Sequence, residues 1–72
     1  MRNWEIFVTA RGCDIISRCS RAVLLYDESA LCRWIIVELN AAGDSVGRSE
    51  HLSLRPALEE FVAFLPQQGE IS

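Results

Sequence analysis

The hydrophobic pattern is clearest in the second half of the chain, where it predicts a strand, a turn and a second strand. Residues 34–37, Trp-Ile-Ile-Val, are the most apolar run. β-Branched and aromatic residues of this kind are typical of a central strand that is buried on both faces. Residues 40–44 can reverse the chain. Residues 45–52 are mostly polar, which suits a strand at a sheet edge, where polar and charged groups discourage unwanted pairing.

A helix is predicted to follow these strands, beginning near Ser53 with Pro56 in its first turn. Its large apolar residues fall at positions i, i+3, i+4 and i+7, which places them on one helical face. These residues are Leu58, Phe61, Val62 and Leu65. Pro66 is expected to end the helix, and residues 67–72 are expected to form a loose tail.

The N-terminal part of the chain has a different pattern. Trp4, Ile6 and Val8 recur with the period of two that predicts a first strand, closed by residues 10–12. Residues 13–20 fit either a helical turn or the opening of a long strand, and we favour extended or irregular structure.

The middle of the chain completes the predicted sheet. Residues 22–26 are a short apolar run typical of a strand, and residues 27–29 form a polar turn. Residues 31–39 could instead form a helix, but their β-branched run favours a strand. The pattern predicts an α+β fold: a four-stranded antiparallel meander followed by one C-terminal amphipathic helix packed on one face. We expect a single domain over residues 1–72, ordered at about 3–66, whose second sheet face is open to water or to a partner.

Composition limits the classes of function. The chain has 72 residues, half of them apolar, and a net charge of −3, with seven arginines and no lysine. A negative charge argues against indiscriminate binding of phosphate backbones. No apolar run approaches the ~20 residues that span a bilayer, and the first residues lack the apolar stretch of a signal peptide. We therefore expect a soluble, cytoplasmic protein that binds no membrane.

The residue types that usually carry catalysis or metal binding form no recognisable motif. Cys13, Cys19 and Cys32 have no CxxC spacing, and with His51 they make four ligands at spacings that do not suit zinc. No nucleophile elbow, P-loop or dinucleotide fingerprint occurs. We expect free thiols, no metal, no cofactor and no catalysis.

Two features suggest contact with a partner. Tyr26 is followed by Asp27 at the end of a predicted strand, and an aromatic beside acidic residues suits a basic protein surface. Glu38 interrupts an apolar strand, so its charge must point outward or be paired. A hairpin through residues 27–29 would bring Glu38 near Tyr26.

A resemblance to a known family covers the same part of the chain. The chain resembles the small type I-F anti-CRISPR proteins of Pseudomonas phages, whose fold is a four-stranded antiparallel sheet followed by helices. Tyr26 and Thr9-Ala10 fall where that family would place them, and five further stretches are similar. These are Val37-Glu38, Gly43, Ser45-Val46-Gly47, Leu58-Glu59 and Leu65-Pro66.

The resemblance implies a non-catalytic inhibitor in the host cytoplasm. It would dock its open sheet face on the backbone subunit of a type I-F CRISPR surveillance complex and block target DNA pairing. By position, Tyr26 and Glu38 would carry much of the binding, with Asp27 beside them. Ile6 stands where the family has a further tyrosine, which is a departure from its pattern.

Two other functions stay open. A single-stranded nucleic-acid-binding domain would hold phosphates with arginines and stack bases on aromatic rings. The residues concerned are Arg11, Arg18 and Arg21 for phosphates, and Trp4, Phe7 or Trp34 for bases. A homodimeric accessory protein would instead use the open sheet face to bind a second copy.

Overall fold

The computed structural model describes residues 2–65, which form two helices and one four-stranded sheet. In chain order the elements are α1 (Asn3–Arg11), β1 (Asp14–Arg18), β2 (Ala22–Tyr26), β3 (Trp34–Leu39), β4 (Ser45–His51) and α2 (Leu54–Val62). The strands form an antiparallel meander in which sequence neighbours are also sheet neighbours. The predicted α+β fold with a C-terminal helix is confirmed. The predicted helix stop at Pro66 and the tail at residues 67–72 lie outside the described residues.

The two central strands, β2 and β3, are apolar on both faces, and each face is covered by one helix. On one face, Val23, Leu25, Ile35 and Val37 pack with Trp4 of α1. On the opposite face, the sheet residues Ala22, Leu24 and Ile36 pack with Ala57 and Phe61 of α2. The sheet is therefore the middle of three layers, and the predicted open sheet face is wrong.

The predicted first strand is also wrong, because residues 3–11 form the helix α1. Trp4, Phe7 and Val8 lie at i, i+3 and i+4, so one helical face carries all the residues that contact the core. Ile6, which the alternating pattern placed beside Trp4, points outward and is half exposed. Gly12 ends the helix in the left-handed conformation, at φ 69°, where glycine is favoured.

Contacts with the β3–β4 turn hold α1 on the sheet. The Trp4 indole Nε1 donates to the Gly43 carbonyl at 3.1 Å, and the Arg2 guanidinium donates to the Ala42 carbonyl at 2.9 Å. Gly43 has φ 88°, and a Cβ there would come within 2.7 Å of Arg2. A nine-residue helix is marginal in water on its own, so this docking and the burial of Trp4 stabilise α1.

Residues 14–18 form the first strand of the sheet, so the favoured extended structure at residues 13–20 is confirmed there. β1 is an edge strand whose pairing with β2 shifts by one residue between Ile15 and Ser17. The predicted β3 and β4 segments are confirmed as an inner strand and an edge strand. The turn between them is organised by Asn40, whose side-chain oxygen accepts from the backbone N–H groups of Ala42 and Asp44.

The buried face of α2 is rotated from the predicted one. Ala57 and Phe61 are the buried residues, while Leu58 and Val62 of the predicted stripe are partly exposed. Ala57 is fully buried in the core cluster between α2 and the sheet. This rotation matters for function because it leaves apolar residues on the outer surface.

We predict that Trp4→Ala lowers the free energy of unfolding by about 3–5 kcal/mol, because it removes a buried aromatic ring and opens a cavity under α1. Ile6→Ala is the matched control on the same helix and should change stability by less than about 1 kcal/mol. Denaturant unfolding followed by circular dichroism measures both. Equal stability of the two variants would contradict the packing of α1 on the sheet.

Candidate partner-binding surface

Tyr26 and Glu38 lie on the α2 side of the sheet but not next to each other. In the β2–β3 register Tyr26 is opposite Trp34, whereas Glu38 is opposite Ala22. Trp34, which is opposite Tyr26, and Glu38 are four positions apart along β3, which corresponds to about 13 Å at ~3.3 Å per residue. The predicted proximity is therefore wrong, because the hairpin connection spans residues 27–33 and pairs Tyr26 with the first residue of β3.

The surroundings of these two side chains differ. Tyr26 is half buried, and its ring lies 4.7 Å from that of Trp34 between centroids, tilted by 54°. Glu38 is exposed at the other end of β3, beside Gly47 of the edge strand. Tyr26 thus offers an aromatic edge, and Glu38 offers a solvated charge.

Asp27 has its partners inside the fold. Its side chain is 1% exposed, its Oδ2 lies 3.0 Å from Arg11 Nη2, and its Oδ1 accepts from the Ser29 hydroxyl at 2.7 Å and the Ser29 N–H at 3.1 Å. The hydrogen bond from the Ser29 hydroxyl is the main cause that lowers the pKa of Asp27. The prediction that Asp27 contacts a partner is corrected: its carboxylate fixes the β2–β3 connection and ties it to α1.

Ile6 lies on the outer surface of α1, and α1 covers the sheet face opposite the one on which Tyr26 and Glu38 lie. The four predicted contact residues therefore do not form one site. Tyr26 and Glu38 share a side of the sheet, Ile6 is on the other side, and Asp27 is buried.

The arrangement of the arginines does not provide the predicted phosphate-binding patch. The Arg11 guanidinium pairs with Asp27, that of Arg18 lies 4.9 Å from the Trp4 ring, and that of Arg21 lies 5.8 Å from the Phe64 ring. Trp4 belongs to the core cluster on the α1 face and Phe64 packs against the cluster on the α2 face, so Arg18 and Arg21 are on different sides of the sheet.

The aromatic rings are also unsuited to stacking bases. Trp4 is buried, Trp34 packs on Tyr26, and Phe7 lies under the guanidinium of Arg48 at 4.7 Å. Base stacking needs an exposed ring face, and each of these rings is buried or has another group packed against it.

A polar cluster joins the edge strand β4 to α2. The Glu60 carboxylate lies 2.6 Å from His51 Nε2 and accepts from the Ser49 hydroxyl at 2.7 Å. In a serine nucleophile site the imidazole adjoins the hydroxyl, but here the carboxylate lies between them. The cluster therefore acts as a clamp between β4 and α2. The hydrogen bond from Ser49, followed by that from His51, lowers the pKa of Glu60.

The feature that the sequence pattern missed is an apolar stripe on the outer surface of α2. It consists of Leu54, Leu58 and Val62, at i, i+4 and i+8, which are 38%, 41% and 56% exposed. At about 100° per residue, Leu58 and Val62 lie roughly 160° around the helix from Glu60. Since Glu60 faces β4, the stripe faces the opposite flank, above the β2 side of the sheet that carries Tyr26.

No group of three His, Cys, Asp or Glu side chains among residues 2–65 is placed to hold a metal ion. The three thiols are free and half buried. No helix in the described part of the chain is long and apolar enough to cross a membrane. Comparison with known proteins finds no matching family model, no matching curated protein and no matching solved structure.

We predict that Glu60→Gln lowers the free energy of unfolding at neutral pH by on the order of 1 kcal/mol, because the bonds from Ser49 and His51 lose their charged acceptor. A carboxyl whose pKa is lowered by folding stabilises the protein above its ordinary value of 4.5, and this stability is lost as the pH falls through the lowered pKa. The difference between variant and wild type should therefore shrink on acidification.

Glu59→Gln is the control, since the neighbouring Glu59 is exposed and, among residues 2–65, its carboxylate has Arg55 as its one ion-pair partner, at 3.7 Å. Urea unfolding of both variants at about pH 7 and about pH 3 makes the comparison. An equal effect of the two substitutions at neutral pH would show that Glu60 does not clamp β4 to α2.

Proposed function

We propose that this chain is a non-catalytic protein-binding inhibitor of the anti-CRISPR type, which binds the backbone subunit of a type I-F CRISPR surveillance complex and blocks target DNA pairing. The observation that carries the binding role is the exposed apolar stripe of Leu54, Leu58 and Val62 on α2. Contiguous apolar side chains left exposed on a small domain are typical of protein contact sites.

The neighbours of the stripe also suit a protein partner. Tyr26 lies on the same side of the sheet, and tyrosines contribute strongly where an apolar patch is covered by a partner. Charged side chains lie on this side of the domain as well: Glu38 is exposed on the sheet, and Glu59 lies 3.7 Å from Arg55 on α2. A polar rim around an apolar centre is the usual composition of a protein interface, and the exposed Glu38 carboxylate favours a basic group on the partner surface.

The choice of partner rests on the family resemblance. Those of its matching positions that lie in Val37–Glu59 fall in β3, the β3–β4 turn, β4 and α2, which adjoin one another in the fold. Because helices cover both sheet faces, docking is assigned to the α2 surface and not to an open sheet. Tyr26 and Glu38 keep their proposed roles at two ends of that surface, while Ile6 and Asp27 lose theirs.

The test is capture of a type I-F surveillance complex by the immobilised wild-type chain and by Leu58→Asp, Tyr26→Ala and Glu38→Arg. We expect wild type to capture the complex and Leu58→Asp to weaken binding at least about tenfold, because a buried carboxylate would lack a partner. Tyr26→Ala and Glu38→Arg should each weaken binding in the same direction. Unfolding curves of all variants establish that they are folded.

Ile6→Asp is the matched control, because it places the same charge on an equally exposed apolar position of α1, on the other side of the sheet. It should bind like wild type. If only Ile6→Asp lost binding, the binding site would lie on α1. If Leu58→Asp bound as strongly as wild type, the site would not be on α2. Failure of the wild type to capture the complex would overturn the choice of partner.

A further inference from the structure

The edge strand β4 has one side that no other strand occupies in the described part of the chain. Its pairing with β3 is regular from Gly47 to His51, and the only register shift lies before Gly47. The other edge strand, β1, is interrupted at its centre between Ile15 and Ser17. Bulges discourage a further strand from pairing, whereas a regular edge exposes N–H and C=O groups that can accept one. β4 is therefore the better pairing edge.

The side chains along β4 are complementary to those of an antiparallel copy. Residues 48 and 50, which lie on one face of the regular part of the strand, are Arg and Glu. When two copies pair with Ser49 opposite Ser49, each Arg48 stands opposite a Glu50 of the other copy. Opposite charges directly across a strand pair stabilise it.

We propose that β4 pairs with β4 of a second copy to form a homodimer with one continuous eight-stranded sheet. In an antiparallel pair, directly opposed side chains point to the same face, so both α2 helices lie on one face and both α1 helices on the other. The apolar stripe of α2 faces away from β4 and stays uncovered. The dimer therefore does not depend on the proposed inhibitory function and does not compete with it.

Arg48 and Glu50 already form an ion pair within one chain, and dimerisation would let each of them pair with the other copy instead. Arg48 donates to Glu50 Oε2 within the chain at 2.7 Å and 3.1 Å, and both side chains are nearly half exposed. In the dimer the two pairs lie side by side, and each guanidinium meets a carboxylate of the other copy. On the opposite face, Gly47 stands opposite His51 of the second copy and adds no side chain that could block it.

The size of the contact sets the expected strength. A pair of strands with five regular residues each covers less area than the roughly 1,200–2,000 Å² of stable protein interfaces. We therefore expect a dimer that dissociates in the micromolar range. The mass measured by sedimentation equilibrium should rise with concentration from 8.1 kDa, the mass of one chain, toward twice that value.

Charge reversal at the edge tests the register. Arg48→Glu alone places four carboxylates together, and Glu50→Arg alone places four guanidinium groups together, so each variant should dimerise at least about tenfold more weakly than wild type. A one-to-one mixture of the two variants restores opposite charges at both contacts. It should recover dimers that contain one chain of each kind, which a mass difference between the chains identifies.

The mixture separates pairing between copies from the salt bridge within a chain, because neither variant regains its own Arg48–Glu50 pair. Arg55→Glu, an exposed charge reversal on α2, is the control and should dimerise like wild type. A wild-type chain of monomer mass at every concentration would overturn the proposal. So would a dimer that Arg48→Glu and Glu50→Arg leave unchanged, since it would use another surface.

Discussion

The burial of β2 and β3 on both faces is the constraint on which the rest of the structure depends. Leu24, Leu25, Ile35 and Ile36 are almost fully shielded from water, and their side chains alternate between the two faces. A two-layer arrangement would expose half of them, at a cost of about 1.5–3 kcal/mol for each large side chain. A chain of this length therefore needs an apolar helix on each side, and α1 and α2 fill these two places.

The sequence pattern predicts the elements whose signals are local. The β-branched run at 34–37, the turn at 40–44 and the polar strand after it each have one structural interpretation, and all three are found. The segment 4–9 has two interpretations, because Trp4 and Val8 fit a strand as well as a helix. Gly12 just after Arg11 is a helix-ending signal, but the deciding factor is tertiary: only a helix brings both Trp4 and Phe7 onto the uncovered sheet face.

The candidate site was harder to predict because it depends on register and rotation. Glu38 is recognisable in the sequence as a charge that must be solvated, and it is. The residue opposite Tyr26 depends on the length of the hairpin connection between β2 and β3. This connection consists of residues 27–33, and hydrogen bonds between Asp27 and Ser29 fix its first turn. The stripe on α2 is exposed because the helix is rotated about its own axis relative to the predicted orientation. As a result Ala57, and not Leu58, faces the sheet. The α2 segment has more apolar residues than one helical face can bury. The sequence pattern alone does not show which of these residues will be exposed to solvent.

Covering both sheet faces limits where this domain can bind anything. The outer surfaces of the helices and the two sheet edges are what is left, and each has its own chemistry. α2 offers an apolar stripe near carboxylates, α1 offers arginines stacked on aromatic rings, β1 is interrupted by a bulge, and β4 has alternating charges that match a copy of themselves. Because Glu60 ties α2 to β4 from one flank while the stripe occupies the other, a partner on α2 and a second copy on β4 would meet different surfaces of the same rigid unit. A dimer would then present two stripes on one face, which raises the effective concentration of each for a partner that has two matching sites.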